Sequence, residues 1–256
     1  MSNDQSDVPA SKVTANMEDR QDTPLFYEEP VALTASMHSD FCIQPESDFK
    51  FALDTNAVPI TVAEFVLASR HYPIVFVGEQ FVPTVALGLR QDQNLFVDQN
   101  GLWERRCYIP AYVRRYPFIL LGKEDDKKLQ LGIDNSARSD ESDARALFSG
   151  ETETQVVTDA LDLCQQFHSA FKATLDFSAM IADSGLIEER SLELEFPNNE
   201  KISIGSFSSI SEQKFREAPE TKILEWRSKG WLAAIYFHIA SLNNWDLMID
   251  RLPESQ

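Results

Sequence analysis

The sequence predicts an α+β fold. We expect a mixed or mostly antiparallel sheet, built from two duplicated helix-hairpin units and covered by two long helices of the C-terminal half. The first observation is a repeat, because His71–Gly78 and Arg115–Gly122 carry the same pattern at an offset of 44 residues. The second is a period, because apolar residues beyond position 150 recur in steps of three and four, as in amphipathic helices. A chain of 256 residues can bury a sizeable core.

Composition divides the chain and limits its partners. Residues 1–24 are polar and predict a disordered tail. Residues 25–256 predict one domain, with the hairpin sheet in 25–150 and a helix-hairpin-helix part in 151–256. The net charge of −18 argues against binding to nucleic acid. No secretory signal or membrane-span pattern is present, and three scattered cysteines favour reduced thiols, so we expect a soluble, cytoplasmic protein.

The first half contains the repeated units. Short apolar pieces at 30–33 and 41–43 predict edge strands or ordered coil. Thr61-x-x-Glu64 has the form of a capping box and predicts a helix as far as Arg70. The offset then continues without a gap to Leu89 and Ile133, so each copy is predicted as a short helix, a Tyr-Pro strand, a polar turn and a returning strand. A further strand is predicted over residues 94–98, before the turn signal Asn-Gly.

The second half predicts helices around one hairpin. Thr152-x-x-Gln155 resembles a second capping box, and the helix after it should end at Ser184, before Gly185. Alternating residues at 192–196 and 202–204 predict a half-exposed hairpin. From 224 to 252 a single apolar stripe predicts a second long helix, with Gly230 as its weak point.

Signatures of common enzymes are missing from the sequence. It has no glycine-rich dinucleotide or phosphate loop, no His-Glu-x-x-His and no Gly-x-Ser-x-Gly. These absences favour a non-enzymatic protein without a cofactor.

Two histidines interrupt the predicted apolar stripes. His168 and His238 would meet if the two long helices pack antiparallel. One interpretation makes them hydrogen-bonded residues of the core or its boundary. The other places a ligand or metal pocket between the helices, with Asn243 or Asn244 near its far end and His38 as a distant third donor.

A basic and aromatic patch is the second candidate site. Its arginines flank residues 107–112 and are Arg105, Arg106, Arg114 and Arg115. Such a patch can hold a phosphate or carboxylate through bidentate hydrogen bonds. The alternative is that these arginines pair with the chain's own abundant carboxylates.

Several motifs together resemble the bacterial SapC family from about Leu33 onward. They are Val58–Phe65, His71–Phe76, Asn94–Asp98, Tyr112–Ile119, Phe167-His168, Gly230–Leu232 and Ser241–Trp245. The resemblance implies one domain of this length and supplies no catalytic residues. It also implies a setting beside flavin-dependent halogenase-like and cupin-like oxygenase enzymes and outer-membrane receptors. The transporter permease that shares the name is a different protein.

These observations predict a non-enzymatic binding or accessory protein that acts with a partner enzyme or polypeptide, which the family context suggests is a halogenase-like or oxygenase enzyme. A surface-layer or envelope component at the cell surface is the first alternative, because the family name implies it. A small-ligand or metal binder, or an enzyme with its site between the two long helices, is the second.

Overall fold

The computed structural model describes residues 23–45, 47–122, 129–195 and 201–252. The predicted tail, except for residues 23 and 24, and the predicted turn at 197–200 lie outside these ranges. Within them the fold is α+β, and the paired strands are antiparallel. No helix in this part of the chain is long and apolar enough to cross a membrane.

The strands form two main sheets and two small pairs. In chain order they are β1 (Pro30–Ala32), β2 (Cys42–Ile43), β3 (Ala57–Pro59), β4 (Ile74–Val77), β5 (Val82–Ala86), β6 (Phe118–Leu121), β7 (Gln130–Asp134), β8 (Arg145–Ala146), β9 (Phe148–Ser149), β10 (Thr152–Glu153), β11 (Ile187–Glu195) and β12 (Lys201–Ile210). The larger sheet has the order β11-β12-β4-β5-β3, and the smaller has the order β1-β7-β6. The pairs are β2 with β8 and β9 with β10.

The helices vary widely in length. In chain order they are α1 (Ala35–His38), α2 (Phe65–Ala68), α3 (Ala111–Arg114), α4 (Gln155–Asp183), α5 (Glu212–Arg216), α6 (Glu220–Ser228), α7 (Trp231–Ser241) and α8 (Asn244–Ile249). A 3-10 turn over Val62–Glu64 precedes α2.

The two predicted helix-hairpin units lie in different sheets. Helix α2 precedes the β4–β5 hairpin of the larger sheet, and α3 precedes the β6–β7 hairpin of the smaller one. The expectation of a single sheet is therefore wrong for the described residues. Ile74 pairs with Val85 and Phe118 pairs with Ile133, so the returning strands differ by four residues under the 44-residue offset. A longer connection between β6 and β7 causes the shift, and duplication stays a prediction.

Helix α4 ends as predicted but begins later. Gly185 has φ +72°, a left-handed conformation that stops a right-handed helix at little cost for glycine. The predicted capping box at Thr152 is wrong, because Thr152 belongs to β10 and pairs with Ser149. Thr154 is instead the residue before the helix, and its hydroxyl donates to the carbonyl of Ala146 at 2.9 Å.

The second long helix is not continuous. Gly230 has φ +76° and separates α6 from α7, so the apolar stripe continues along three helices rather than one. The strand predicted over 94–98 is also absent from the described residues. Asn94 donates to the carbonyl of Ala52 and accepts from the amide of Phe96, both at 2.9 Å, and such local bonds compete with strand pairing.

Helix α4 connects two apolar clusters. Its first half buries Val157 and Cys164 against β6 and β7, in the smaller cluster. From Phe167 onward it buries Phe167, Phe177 and Ile181 in the larger cluster, which lies against the five-stranded sheet. Each large apolar side chain buried in this way contributes about 1.5–3 kcal/mol.

Candidate functional site

Four segments of the chain surround a cleft with a volume of about 630 Å³. Residues 48–51, 113–118, 136–138 and 156–163 contribute most of its walls. We call it the basic cleft, because its cationic lining residues are Lys50, Arg114, Arg115, Arg138 and Arg145. Among the described residues, the carboxylates that line it are Asp48 and Asp159, so this part of the lining has a formal excess of three positive charges.

One buried carboxylate fixes the start of α3, the helix that leads to the cleft. Glu64 Oε1 accepts from the backbone amide of Ala111 at 2.7 Å and from the hydroxyl of Tyr108 at 2.9 Å. Its Oε2 accepts from the amide and the hydroxyl of Thr61 at 2.8 and 2.9 Å, which confirms the predicted capping box. Glu64 therefore ties the turn before α2 to the start of α3, and Arg114 and Arg115 follow directly.

Aromatic rings hold Arg115 in the wall of the cleft. Its guanidinium carbon lies 4.3 Å from the ring centre of Tyr112 and 4.5 Å from that of Phe167. Cation–π contacts of this kind contribute about 0.5–2 kcal/mol. The Nε atom is buried without a hydrogen-bond partner. Among the described residues, no carboxylate forms an ion pair with Arg115.

Apart from the half-buried Arg145, the other cations of the cleft are exposed. Lys50 pairs with Asp48 and Arg138 pairs with Asp140, both at 3.5 Å. Exposed pairs of this kind typically contribute less than about 1 kcal/mol. Arg114 donates from Nε to the carbonyl of Ile109 at 3.0 Å. These cations can therefore exchange their present partners for a ligand at small cost.

The structure divides the arginine patch that the sequence predicts. Arg114 and Arg115 line the basic cleft, whereas Arg105 and Arg106 are exposed on the preceding loop and are not among its lining residues. Sequence reasoning missed Lys50, Arg138 and Arg145. No local motif marks these three, because only the tertiary fold brings them beside α3.

The two candidate histidines have opposite environments. His168 is exposed, which corrects its predicted place on a buried stripe, because Phe167 takes the inward position. His238 is fully buried, its ring centre lies 4.8 Å from that of Phe76, and its Nε2 accepts from the amide of Ile210 at 3.0 Å. Burial, with a smaller contribution from the charge of Arg190, lowers the pKa of His238 to about 3. The ring is therefore neutral, and its buried Nδ1 has no hydrogen-bond partner.

The other residues proposed around the histidines have structural contacts. The Asn244 amide donates to the carbonyls of Ser69 and Tyr72 at 2.8 and 2.9 Å, which joins α8 to the start of β4. Asn243 is exposed and donates to the carbonyl of Ala240 at 3.2 Å. His38 is buried, with 2% of its surface exposed, and its Nδ1 lies 3.1 Å from the carbonyl oxygen of Thr34.

A second pocket does lie between α4 and the C-terminal helices. It has a volume of about 540 Å³, and its lining includes Asp176, Met180, Lys222, Trp226 and Trp231. Neither His168 nor His238 is among the residues that line it. In the part of the chain that the structure describes, no group of three or more His, Cys, Asp or Glu side chains is arranged to hold a metal ion.

Comparison with known proteins identifies a family. A family model described as SapC matches residues 33–248, a range that contains every residue lining the basic cleft. No curated protein and no solved structure matches the chain.

Proposed function

Because the chain belongs to the SapC family, and because a cationic cleft opens on so acidic a chain, we propose that it is a non-enzymatic accessory protein. The basic cleft would hold an acidic segment of a partner polypeptide. Family context makes a halogenase-like or oxygenase enzyme of the cytoplasm the partner that we propose.

Charge contrast is the observation that carries this proposal. The whole chain has a net charge of −18, yet the described residues that line the basic cleft have an excess of three positive charges. A cleft with low-dielectric walls concentrates the field of the charges that line it. An anionic ligand would therefore be repelled by the overall negative charge of the chain and attracted at the basic cleft, which favours specificity and correct orientation.

The chemistry of the lining supports binding rather than catalysis. The described residues that line the cleft include no histidine, cysteine or glutamate. Its two carboxylates already have partners: Asp48 accepts from the amide of Lys50 at 3.0 Å, and Asp159 accepts from Gln155 at 2.7 Å. General acid–base work needs a titratable group whose pKa lies near the working pH, and burial raises the pKa of Tyr116, which also lines the cleft, to about 12. We therefore propose a ligand that is held and not transformed.

Co-purification with matched charge reversals tests the proposal. The cleft variant carries Lys50→Glu and Arg114→Glu, and the control carries Arg105→Glu and Arg106→Glu, which change the net charge equally outside the cleft. We expect the cleft variant to lose at least nine-tenths of the partner that wild-type protein recovers from native cells, and the control to keep it. Equal recovery by both variants would remove the cleft from the interaction, and recovery from the envelope fraction would favour a surface-layer role.

A further inference from the structure

We propose that Arg115 selects what enters the basic cleft by binding one carboxylate of the acidic segment, while the apolar wall beside it takes an adjoining aromatic or aliphatic side chain. This inference rests on the proposed function and adds the chemical class that the site recognises: a carboxylate next to an apolar group.

The surroundings of Arg115 leave it prepared for an external anion. The ring centres of Tyr112 and Phe167 lie 4.3 and 4.5 Å from its guanidinium carbon, and the two rings restrict its side chain. The rings stabilise the charge, and the hydroxyl of Tyr112 hydrogen-bonds with the guanidinium, which leaves most of its five N–H donors without an acceptor among the described residues. With no internal carboxylate paired to it among the described residues, the cation retains its capacity for a bidentate ligand. Little rotamer freedom remains to be lost when a ligand binds.

The rest of the lining indicates that the ligand also has an apolar part. More than half of the lining residues are apolar, and those with the largest side chains are Ile43, Phe49, Phe51, Ile109, Phe118 and Leu163. A volume of about 630 Å³ is within the range of sites that enclose small organic groups. A strongly hydrated anion without an apolar part would leave this surface uncovered. An acidic side chain followed by an aromatic or aliphatic one would use both parts of the site.

The distribution of charge favours a carboxylate over a phosphate. A phosphate monoester carries nearly two charges and three strong acceptor oxygens, so it needs several donors together. Arg115 is a half-buried guanidinium held between rings, and Arg145 is also half-buried, whereas Lys50 and Arg138 have side chains 59% and 53% exposed and already face carboxylates. The planar guanidinium of Arg115 can form two parallel hydrogen bonds with one planar carboxylate. The more exposed cations then attract further acidic residues of the same segment.

Defined peptides test this assignment by isothermal titration calorimetry. The probe is a blocked hexapeptide that alternates glutamate with phenylalanine, and its comparisons replace glutamate with glutamine or with phosphoserine. We expect the glutamine peptide to bind wild-type protein at least tenfold more weakly. Arg115→Lys keeps the charge but loses the planar fork, so it should weaken the glutamate peptide at least tenfold, whereas Arg105→Lys on the exposed loop should change it less than twofold.

A second measurement needs no variant, which matters because Arg115 also packs against rings of the core. In nitrogen-15 NMR spectra of wild-type protein, the side-chain Nε–H resonance of Arg115 should move with the glutamate peptide and stay in place with the glutamine peptide. Equal binding of these two peptides, an unmoved Arg115 resonance or unchanged affinity of Arg115→Lys would overturn the inference. Tenfold tighter binding of the phosphoserine peptide would replace the carboxylate with a phosphate and overturn it as well.

The two proposals can fail separately. Suppose that charge reversal in the cleft abolishes co-purification, but the protein binds the glutamate and glutamine peptides equally. The proposed function then stands, and the role of Arg115 is refuted. If the glutamate peptide binds through Arg115 while both charge-reversal variants recover the partner equally, the carboxylate site stands and the partner role is lost.

Discussion

Replacing His238 with glutamine should remove a pH-dependent part of the stability. The ring is fully buried and the pKa of His238 falls from about 6.5 to about 3. Between these values the unfolded chain binds a proton that the folded chain does not. Stability therefore falls as the pH is lowered through this window, by about 1.4 kcal/mol per pH unit.

The expected magnitude follows from the two pKa values. Lowering the pH from 7 to 5 should cost the wild-type protein about 2 kcal/mol through His238 alone. Other groups titrate in the same window, so the informative quantity is the difference between wild type and variant. At pH 7 the variant should already be less stable by about 1–3 kcal/mol, because the contact with Phe76 changes and the amide of Ile210 loses its nitrogen acceptor.

Urea unfolding at pH 5, 6 and 7 measures this difference. His168→Gln is the matched control, because His168 is exposed on α4. We expect the control to lose as much stability as wild type between pH 7 and 5, and His238→Gln to lose about 2 kcal/mol less. If all three proteins lose the same amount, burial does not lower the pKa of His238 as expected.

Three further substitutions test the framework of the site by urea unfolding at pH 7. Glu64→Gln replaces an acceptor of four hydrogen bonds and should lower stability by about 2–3 kcal/mol; a loss below about 0.5 kcal/mol would contradict its role at α3. Gly132→Ala places a methyl group 2.5 Å from Leu121 Cδ1 and should cost about 1–3 kcal/mol, so an unchanged midpoint would argue against this packing. Asn244→Ala removes two hydrogen bonds and should cost about 1–3 kcal/mol, whereas Asn243→Ala, at an exposed position, should change stability by less than about 0.5 kcal/mol.

Elements set by local chemistry are the ones that the sequence predicts well. The end of α4 follows from Gly185, whose left-handed backbone stops the helix. The capping box at Thr61 and Glu64 is present as expected, because its bonds join residues three apart in the chain. The hairpins likewise form where apolar runs flank turn residues, although β11 and β12 extend further than the alternation indicates.

The register of paired strands and the direction in which a helical side chain faces are harder to predict, because an error of one residue changes which side chains are buried. One position along a helix rotates a side chain by about 100°. This is enough to place Phe167 in the core and His168 in solvent. In the hairpins the connection decides the register, so the aligned pairs Leu87-Gly88 and Leu131-Gly132 occupy different places, after β5 and within β7.

The basic cleft could be predicted only in part. Arg114 and Arg115 stand out in the sequence because they follow an aromatic segment. No local motif marks Lys50, Arg138 or Arg145, and their approach to α3 depends on contacts between residues far apart in the chain. A cleft of this kind has no sequence motif, because its positive charge is a property of tertiary packing.

Site-specific photocrosslinking in native cells tests the central claim most directly, because it records which surface the partner touches. A photoreactive benzoylphenylalanine would replace Ala137 or Ala160, which line the basic cleft, or Leu224, which is exposed on α6 and does not. We predict that the two cleft positions crosslink to one partner through an acidic segment identified by mass spectrometry, and that position 224 does not. Adducts of the same partner at position 224 alone, or equally at all three positions, would contradict the assignment of the cleft as the binding site.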